Sequence, residues 1–376
     1  MNERDVAELR RRFRADKSGI TRVRGCYVND RQEIIREFDQ SLGLLSQEEN
    51  EQLLTILKKC LSGGLGKTLR DITFTTNQVV DSPEHKLLTR LRNSTLGDEE
   101  AVGTLFQEIA QARPLEGNYL ILLAFDAYDI PYRAKDGMEL GDAGSEVFPY
   151  LICALCPIKP PKPALGYQVN ENAFLMGGRD VLVGKPELGF LFPACEGRSA
   201  NLYGALCYAR DTAATYESFV RAIFRREPPM PAAAQREVFY ALLEESLGAD
   251  CSLEVLQAIH QELSGRMEDH KESRNPEALT LDKGDWGRVL SACGVEAPGR
   301  EAFAAGYDTA FGEGTALPPG NLVDTGRMEL TTPEVSIRVA PNRPDAVETR
   351  RLGGIKYILI RADEGVEVNG VNVEIS

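Results

Sequence analysis

The sequence predicts an α+β fold: a mixed sheet-containing N-terminal and central region, then a helical region, then a C-terminal β module. Three observations predict it. The strongest strand-forming runs fall together between Asn118 and Arg210. Helical periodicity then fills Asp211 to Phe311 almost without a break. Beyond Pro318-Pro319-Gly320 the pattern turns to short alternating strands and a hairpin. The implied regions are 1–112, N-terminal α+β; 113–210, the central sheet; 211–315, helical; and 321–376, the β module. Ala316–Gly320 reads as the linker between the last two. A chain of 376 residues is long enough for two or three domains.

Asp5–Arg14 reads as a short amphipathic helix, with Val6, Leu9 and Phe13 on one face and Arg10, Arg11, Arg12 and Arg14 mostly around the other. Ile20–Val28 follows as a strand, with Asn29-Asp30 as its turn. Ser46-Gln47-Glu48-Glu49 is a capping box in which Glu49 reaches back to Ser46. It opens a helix to about Leu61, which Gly63-Gly64 ends. A strand at Leu69–Thr75 and helices near Glu84–Arg92 and Asp98–Ala112 complete the first region. The central sheet opens with the apolar run Tyr119–Phe125 and continues through Val147–Cys156, Gly189–Ala194 and Leu202–Tyr208. Helices follow near Ala214–Arg225, Ala232–Leu247, Leu253–Glu268, Lys283–Cys293 and Arg300–Phe311, punctuated by Gly248, Asn275-Pro276 and Pro298. Trp286, the single tryptophan, belongs in their core. In the tail, Val335–Val339 alternates, and Glu348–Arg351 and Lys356–Ile360 flank Gly353-Gly354. Val366–Val373 turns about Asn369-Gly370, whose geometry suits the twist of a hairpin.

Composition narrows the function. The net charge of −14 repels nucleic-acid backbones and anionic membranes at long range, so a protein partner is expected ahead of nucleic acid. No window approaches the roughly 18 apolar residues that span a bilayer, and the charged N-terminus lacks a signal-peptide segment. The expectation is a cytoplasmic protein with no membrane association. Eight cysteines scattered through such a chain are expected to be small buried hydrophobes rather than a disulfide framework.

Three chemistries can be weighed on the residues. Asp126 and Asp129 bracket Tyr128 at the end of the central strand, and the following stretch adds Asp136, Glu139, Asp142 and Glu146. Clustered carboxylates are hard oxygen ligands, so Asp126, Asp129, Asp136, Asp142 and Glu146 are the candidate ligands for Mg²⁺ or Mn²⁺. Asp126 and Asp129 are the candidate catalytic pair of a metal-dependent hydrolase. The second chemistry is anion or nucleic-acid contact through Arg10, Arg11, Arg14, Arg22 and Arg24, which would suit a nucleic-acid- or ribosome-associated factor. Arg179-Asp180 and Glu196-Gly197-Arg198-Ser199 offer further polar groups beside strands. The third is nucleophilic catalysis, for which a Gly-x-Ser-x-Gly elbow is missing and only three histidines are available.

Two attractive motifs fail on spacing. Ser62-Gly63-Gly64-Leu65-Gly66-Lys67-Thr68 resembles a phosphate loop, but Leu61 stands where the first glycine is required. A helix also precedes that loop and a strand follows it, the reverse of the required order, so no nucleotide is expected. Cys153-Ala154-Leu155-Cys156 lacks a second pair or spaced histidines, and residues three apart on a strand face opposite ways. No structural zinc is expected.

Several strings are similar to an uncharacterised bacterial family, domain of unknown function four-three-one-seven. They are Ile20–Val28, Asp126–Pro131, Gly189–Ala194, Leu279–Lys283 and Val366–Val371. The resemblance covers nearly the whole chain. It implies a cytoplasmic bacterial protein and brings no activity or catalytic residue with it. With no complete catalytic set visible, the leading expectation is a non-catalytic binding or regulatory protein. The metal-dependent hydrolase and the nucleic-acid-associated factor stand as alternatives.

Overall fold

The computed structural model describes the chain except residues 131–145, 160–163, 169–171, 178–180, 197–198, 274, 341–342, 344–345, 364, 369 and 374–376. The described residues form two compact units, Met1–Pro231 and Ala232–Ser376.

In the first unit the elements run α1 (Glu3–Arg12), β1 (Arg22–Val28), β2 (Ile34–Ser41), α2 (Gln47–Lys59), β3 (Leu69–Thr73), α3 (Thr76–Asp81), α4 (Pro83–Asn93) and α5 (Glu99–Gln111). Then come β4 (Tyr119–Ile130), β5 (Glu146–Lys159), β6 (Ala164–Gln168), β7 (Ala173–Gly177) and β8 (Leu182–Val183). The unit closes with β9 (Leu188–Phe192), β10 (Ala194–Glu196), β11 (Ser199–Asn201), β12 (Gly204–Ala209) and α6 (Glu217–Phe224). One antiparallel sheet runs β2-β1-β4-β5-β9-β12-β3, with β8 beside β5. Strands from both sides of residue 113 therefore share it.

Helices cover both faces of this sheet. Tyr119, Ile121 and Leu123 of β4 pack with Leu151, Cys153 and Leu155 of β5 against α4, α5 and α6, through Leu88, Leu105, Phe106, Phe219 and Phe224. Leu122 and Ala124 pack with Tyr150, Ile152 and Cys156 against α1 and α2, through Val6, Leu9, Leu54 and Leu57. Double coverage explains why the central strands read as unbroken apolar runs: neither face needs polar residues. The predicted divergence of the two thiols follows from the same pleat, since Cys153 lies in the first layer and Cys156 in the second. Glycine is required at position 25, where a Cβ would stand 2.4 Å from the Phe38 ring and 2.6 Å from the Ile121 carbonyl oxygen. Phe38, its cross-strand partner, lies over that bare backbone.

The second unit contains α7 (Ala232–Leu247), α8 (Leu253–Ser273), α9 (Lys283–Ala292), α10 (Ala297–Phe311) and the short α11 (Pro319–Leu322). Trp286 is fully buried, with its ring 4.7 Å from that of Phe239 between centroids. The Ala316–Gly320 reading needs correction. Leu281 and Leu317 exchange backbone hydrogen bonds of 2.9 Å, and Leu317 and Leu322 are buried in the helical core. The proline pair starts a helical turn there instead of a free linker. After it come three two-stranded ribbons: β13 (Met328–Thr331) with β14 (Ser336–Val339), β15 (Val347–Leu352) with β16 (Ile355–Ile360), and β17 (Val366–Val368) with β18 (Val371–Val373). The tail is β-structured as expected. Yet among the described residues these ribbons do not join into one sheet, and their buried apolar residues are Val339 and Val347.

Candidate functional site

Asp126 lies inside β4, not beyond its end. The strand continues to Ile130 because β5 is long enough to pair with it down to Ile130↔Glu146, with Asp126 opposite Tyr150. Asp126 follows Leu122 and Ala124 on the face covered by α1 and is 1% exposed. The Tyr150 hydroxyl donates to its Oδ2 at 2.9 Å, and Arg12 of α1 reaches the same oxygen at 3.4 Å. The Arg12 guanidinium also lies 4.4 Å above the Tyr128 ring, whose hydroxyl donates to Glu8. Burial, with Asp126 as the next cause, pushes the Tyr150 phenol well above its ordinary range, which keeps it a donor. Oδ1 faces Gly19, where an added Cβ would stand 2.5 Å away, and it has no hydrogen-bond partner. This is a closed ion pair between α1 and the sheet.

The other proposed ligands are not brought to it. Asp136, Glu139 and Asp142 lie outside the described residues, as do Arg179, Asp180, Gly197 and Arg198. Asp129 and Glu146 are backbone members of β4 and β5, opposite Val147 and Ile130. Among the described residues, no three His, Cys, Asp or Glu side chains gather closely enough to hold a metal ion.

The arginines of α1 part company. Arg10 donates to the Leu61 carbonyl and, at 2.6 Å, to the Gly63 carbonyl, so it caps the end of α2. Arg12 serves Asp126, Arg14 pairs with Asp16 at 3.1 Å, and Arg11 is exposed. On β1, Arg22 pairs with Asp39, while the buried Arg24 grips Glu99 and the Leu96 carbonyl. These cations are spread over separate structural partners and do not form one anion-binding face.

Several amides in and beside the glycine-rich loop are spent internally. Gly66 donates to the Leu69 carbonyl, and Lys67 and Leu69 donate to that of Gly64. The Thr68 hydroxyl donates to Ser62 at 2.8 Å, across a Gly63 held at φ +89°. Of the eight free cysteines, six are buried. Burial pushes Cys26, Cys156 and Cys207 up to about 12 and Cys60 and Cys153 well above the usual thiol range.

A groove of about 650 Å³ opens between α2 and strands β1, β2 and β4 of the sheet. Val23, Leu120 and Leu122 line it from the sheet, Leu53 and Ile56 from α2, and Phe38, Leu45 and Val183 from the flanks. Its polar groups are Gln40, Ser46, Glu48, Glu49 and Gln52. The Ser46 amide donates to the Glu49 carboxylate, and the Glu49 amide donates back to the Ser46 hydroxyl at 3.2 Å. This capping box fixes the α2 wall. The sequence did hold a signal for the groove. Helix α2 carries four apolar residues within five positions, more than one contact can bury: Leu54 and Leu57 are buried, while Leu53 and Ile56 are half-buried and face the groove.

No helix among the described residues is long and apolar enough to cross a membrane. No curated protein and no solved structure matches the chain. Residues 1–371 do match a family defined as a domain of unknown function (DUF4317), and the chain belongs to that family along nearly its whole length.

Proposed function

We propose that this is a cytoplasmic bacterial binding protein without catalytic activity, and that its ligand is a small amphipathic molecule held in the α2 groove. The supporting observation is the groove itself. Its volume falls in the usual range for small-molecule sites, and its apolar walls carry a few polar groups, the pattern expected of such sites. Those groups are amides, a hydroxyl and carboxylates, so the favoured head is a neutral or cationic hydrogen-bond donor. The closure of Asp126 around Arg12 and Tyr150 favours this reading over the hydrolase.

The test uses N-phenyl-1-naphthylamine, a neutral dye that brightens in apolar sites. It should bind saturably at one site per chain, and Leu53→Trp, which fills the groove, should abolish that binding. Dodecylamine and dodecanol should displace the dye more readily than dodecanoate. Absence of binding, or equal binding by Leu53→Trp, would sink the proposal.

A further inference from the structure

We infer that the β15–β16 ribbon is a docking edge for an extended, acidic and apolar segment of another protein, which adds as a third strand along β16. The ribbon is well formed, pairing without a bulge over six positions from Val347↔Ile360 to Leu352↔Ile355. It is also unusually bare. Leu352, Ile355, Tyr357 and Ile360 are 52%, 60%, 41% and 57% exposed. A two-stranded ribbon is marginal in water, and a third strand supplies the burial it lacks.

The hydrogen-bond phase identifies the open edge. The Arg361 amide donates to the Ala346 carbonyl at 2.8 Å, which makes those two residues a hydrogen-bonded pair. Alternation along an antiparallel ladder then turns the main-chain groups of Val347, Thr349 and Arg351 outward on one strand, and those of Lys356, Ile358 and Ile360 outward on the other. The β15 edge is partly covered at its base. Gln257 of α8 donates to the Val347 carbonyl at 3.1 Å, and the Thr349 hydroxyl donates to Glu254 at 3.3 Å. Among the described residues no strand pairs with the β16 edge. Sheet edges are usually protected, as β2 is by a register shift opposite Tyr27/Val28 and by Arg36, Glu37 and Asp39. On β16 Lys356 is the sole charged residue, and the strand has neither proline nor bulge.

Charge selects the occupant. The chain carries −14, yet on the ribbon itself, from Val347 to Ile360, three basic residues outnumber one acidic residue, Glu348, which pairs with Arg350 at 3.1 Å. Arg350, Arg351 and Lys356 are exposed on the ribbon itself. Two copies of such a ribbon would repel each other, which disfavours self-pairing. A nucleic acid would answer the cations but not the outward amides or the isoleucines. An extended peptide alternating acidic and apolar side chains answers all three at once.

The probe is a fluorescein-labelled nonapeptide of alternating glutamate and valine, titrated against the full chain by anisotropy. Saturable binding is expected. Ile358→Pro removes one outward amide and leaves the ladder to β15 intact, so it should weaken binding at least tenfold. Ile358→Val should bind as the wild type does. Arg350→Glu/Lys356→Glu should weaken binding of this peptide and strengthen that of a lysine–valine counterpart. Hydrogen exchange at Lys356, Ile358 and Ile360 should slow on binding, a readout that holds even if Ile358→Pro misfolds. No binding, undiminished binding by a folded Ile358→Pro, or no exchange protection on β16 would overturn the inference. So would a preference for a single-stranded oligonucleotide or phosphatidylglycerol vesicles, or displacement of the peptide by a dimer of the chain.

Discussion

Removing Arg12 tests the ion pair that ties α1 to the sheet. In Arg12→Met the aliphatic stem persists while the charge facing a 1%-exposed carboxylate is lost. Breaking a buried pair from one side costs about 3–5 kcal/mol, because the remaining charge is left uncompensated. Arg12 is itself 19% exposed and sits at 3.4 Å, and Tyr150 still donates, so the lower end applies, about 3 kcal/mol. In an Asp126→Asn background the same change should cost only about 1 kcal/mol, largely the lost contact over Tyr128. The expected coupling is therefore about 2 kcal/mol. Urea unfolding of the first unit is read by labelling of Cys153 and Cys207, with Trp286 emission reporting the second unit. At a slope of about 3 kcal/mol per molar, Arg12→Met should lower the first midpoint by about 1 M and leave the Trp286 transition in place. A loss below about 1 kcal/mol, or no coupling to Asp126→Asn, would refute the ion-pair account.

Manganese should not distinguish wild type from Asp126→Asn in melting temperature; an ion at a hundred times its Kd would add ~2.7 kcal/mol, so a shift lost in the variant would revive the hydrolase. Gly189→Ala should destabilise by about 3 kcal/mol in urea melts, since its Cβ would stand 2.4 Å from the Cys153 carbonyl oxygen and 2.7 Å from the Cys60 sulfur. Adding Cys60→Ala should recover only part of that loss, because the carbonyl remains. Stability should fall at alkaline pH: Cys26, Cys156 and Cys207 are raised from 9.0 to about 12 in the fold, so their contribution is full below pH 9 and is lost as pH rises toward 12. Each thiol adds a slope of about 1.4 kcal/mol per pH unit within that window, and Cys207→Ala should flatten the dependence measured between pH 8 and 10.5.

Much of the fold was legible because local signals agreed with tertiary demand. The Ser46/Glu49 capping box sets the start of α2, and Ala232–Leu247 is a helix over the span its periodicity implies. Gly353-Gly354 turns the hairpin assigned to it, and β17 and β18 pair on either side of Gly370, which takes a positive φ. Strand β2 was missed because Ile34-Ile35-Arg36-Glu37-Phe38 lacks strict alternation. An edge strand exposes one ladder side, so charges are tolerated on it. Helix α3 is six residues long with no buried side chain, too short for periodicity to register.

The site was harder to read because its meaning depends on distant partners. An aspartate after seven apolar residues looks like the end of a strand, and acids nearby in sequence then look like a ligand shell. What decides the matter is Tyr150, 24 residues on, and Arg12, 114 residues back, neither of which any local pattern links to Asp126. The residue before those acids held a better clue than the acids themselves. If the pleat that buries Leu122 and Ala124 is continued by one step, Asp126 falls on the same covered face. A carboxylate there must find a cation or a donor, and the N-terminal helix carries four arginines beside its apolar stripe. Arg12, from the middle of the run that suggested an anion-binding surface, and the aspartate that suggested a metal site are thus two halves of one packing contact, and each looked functional only while the other was out of view.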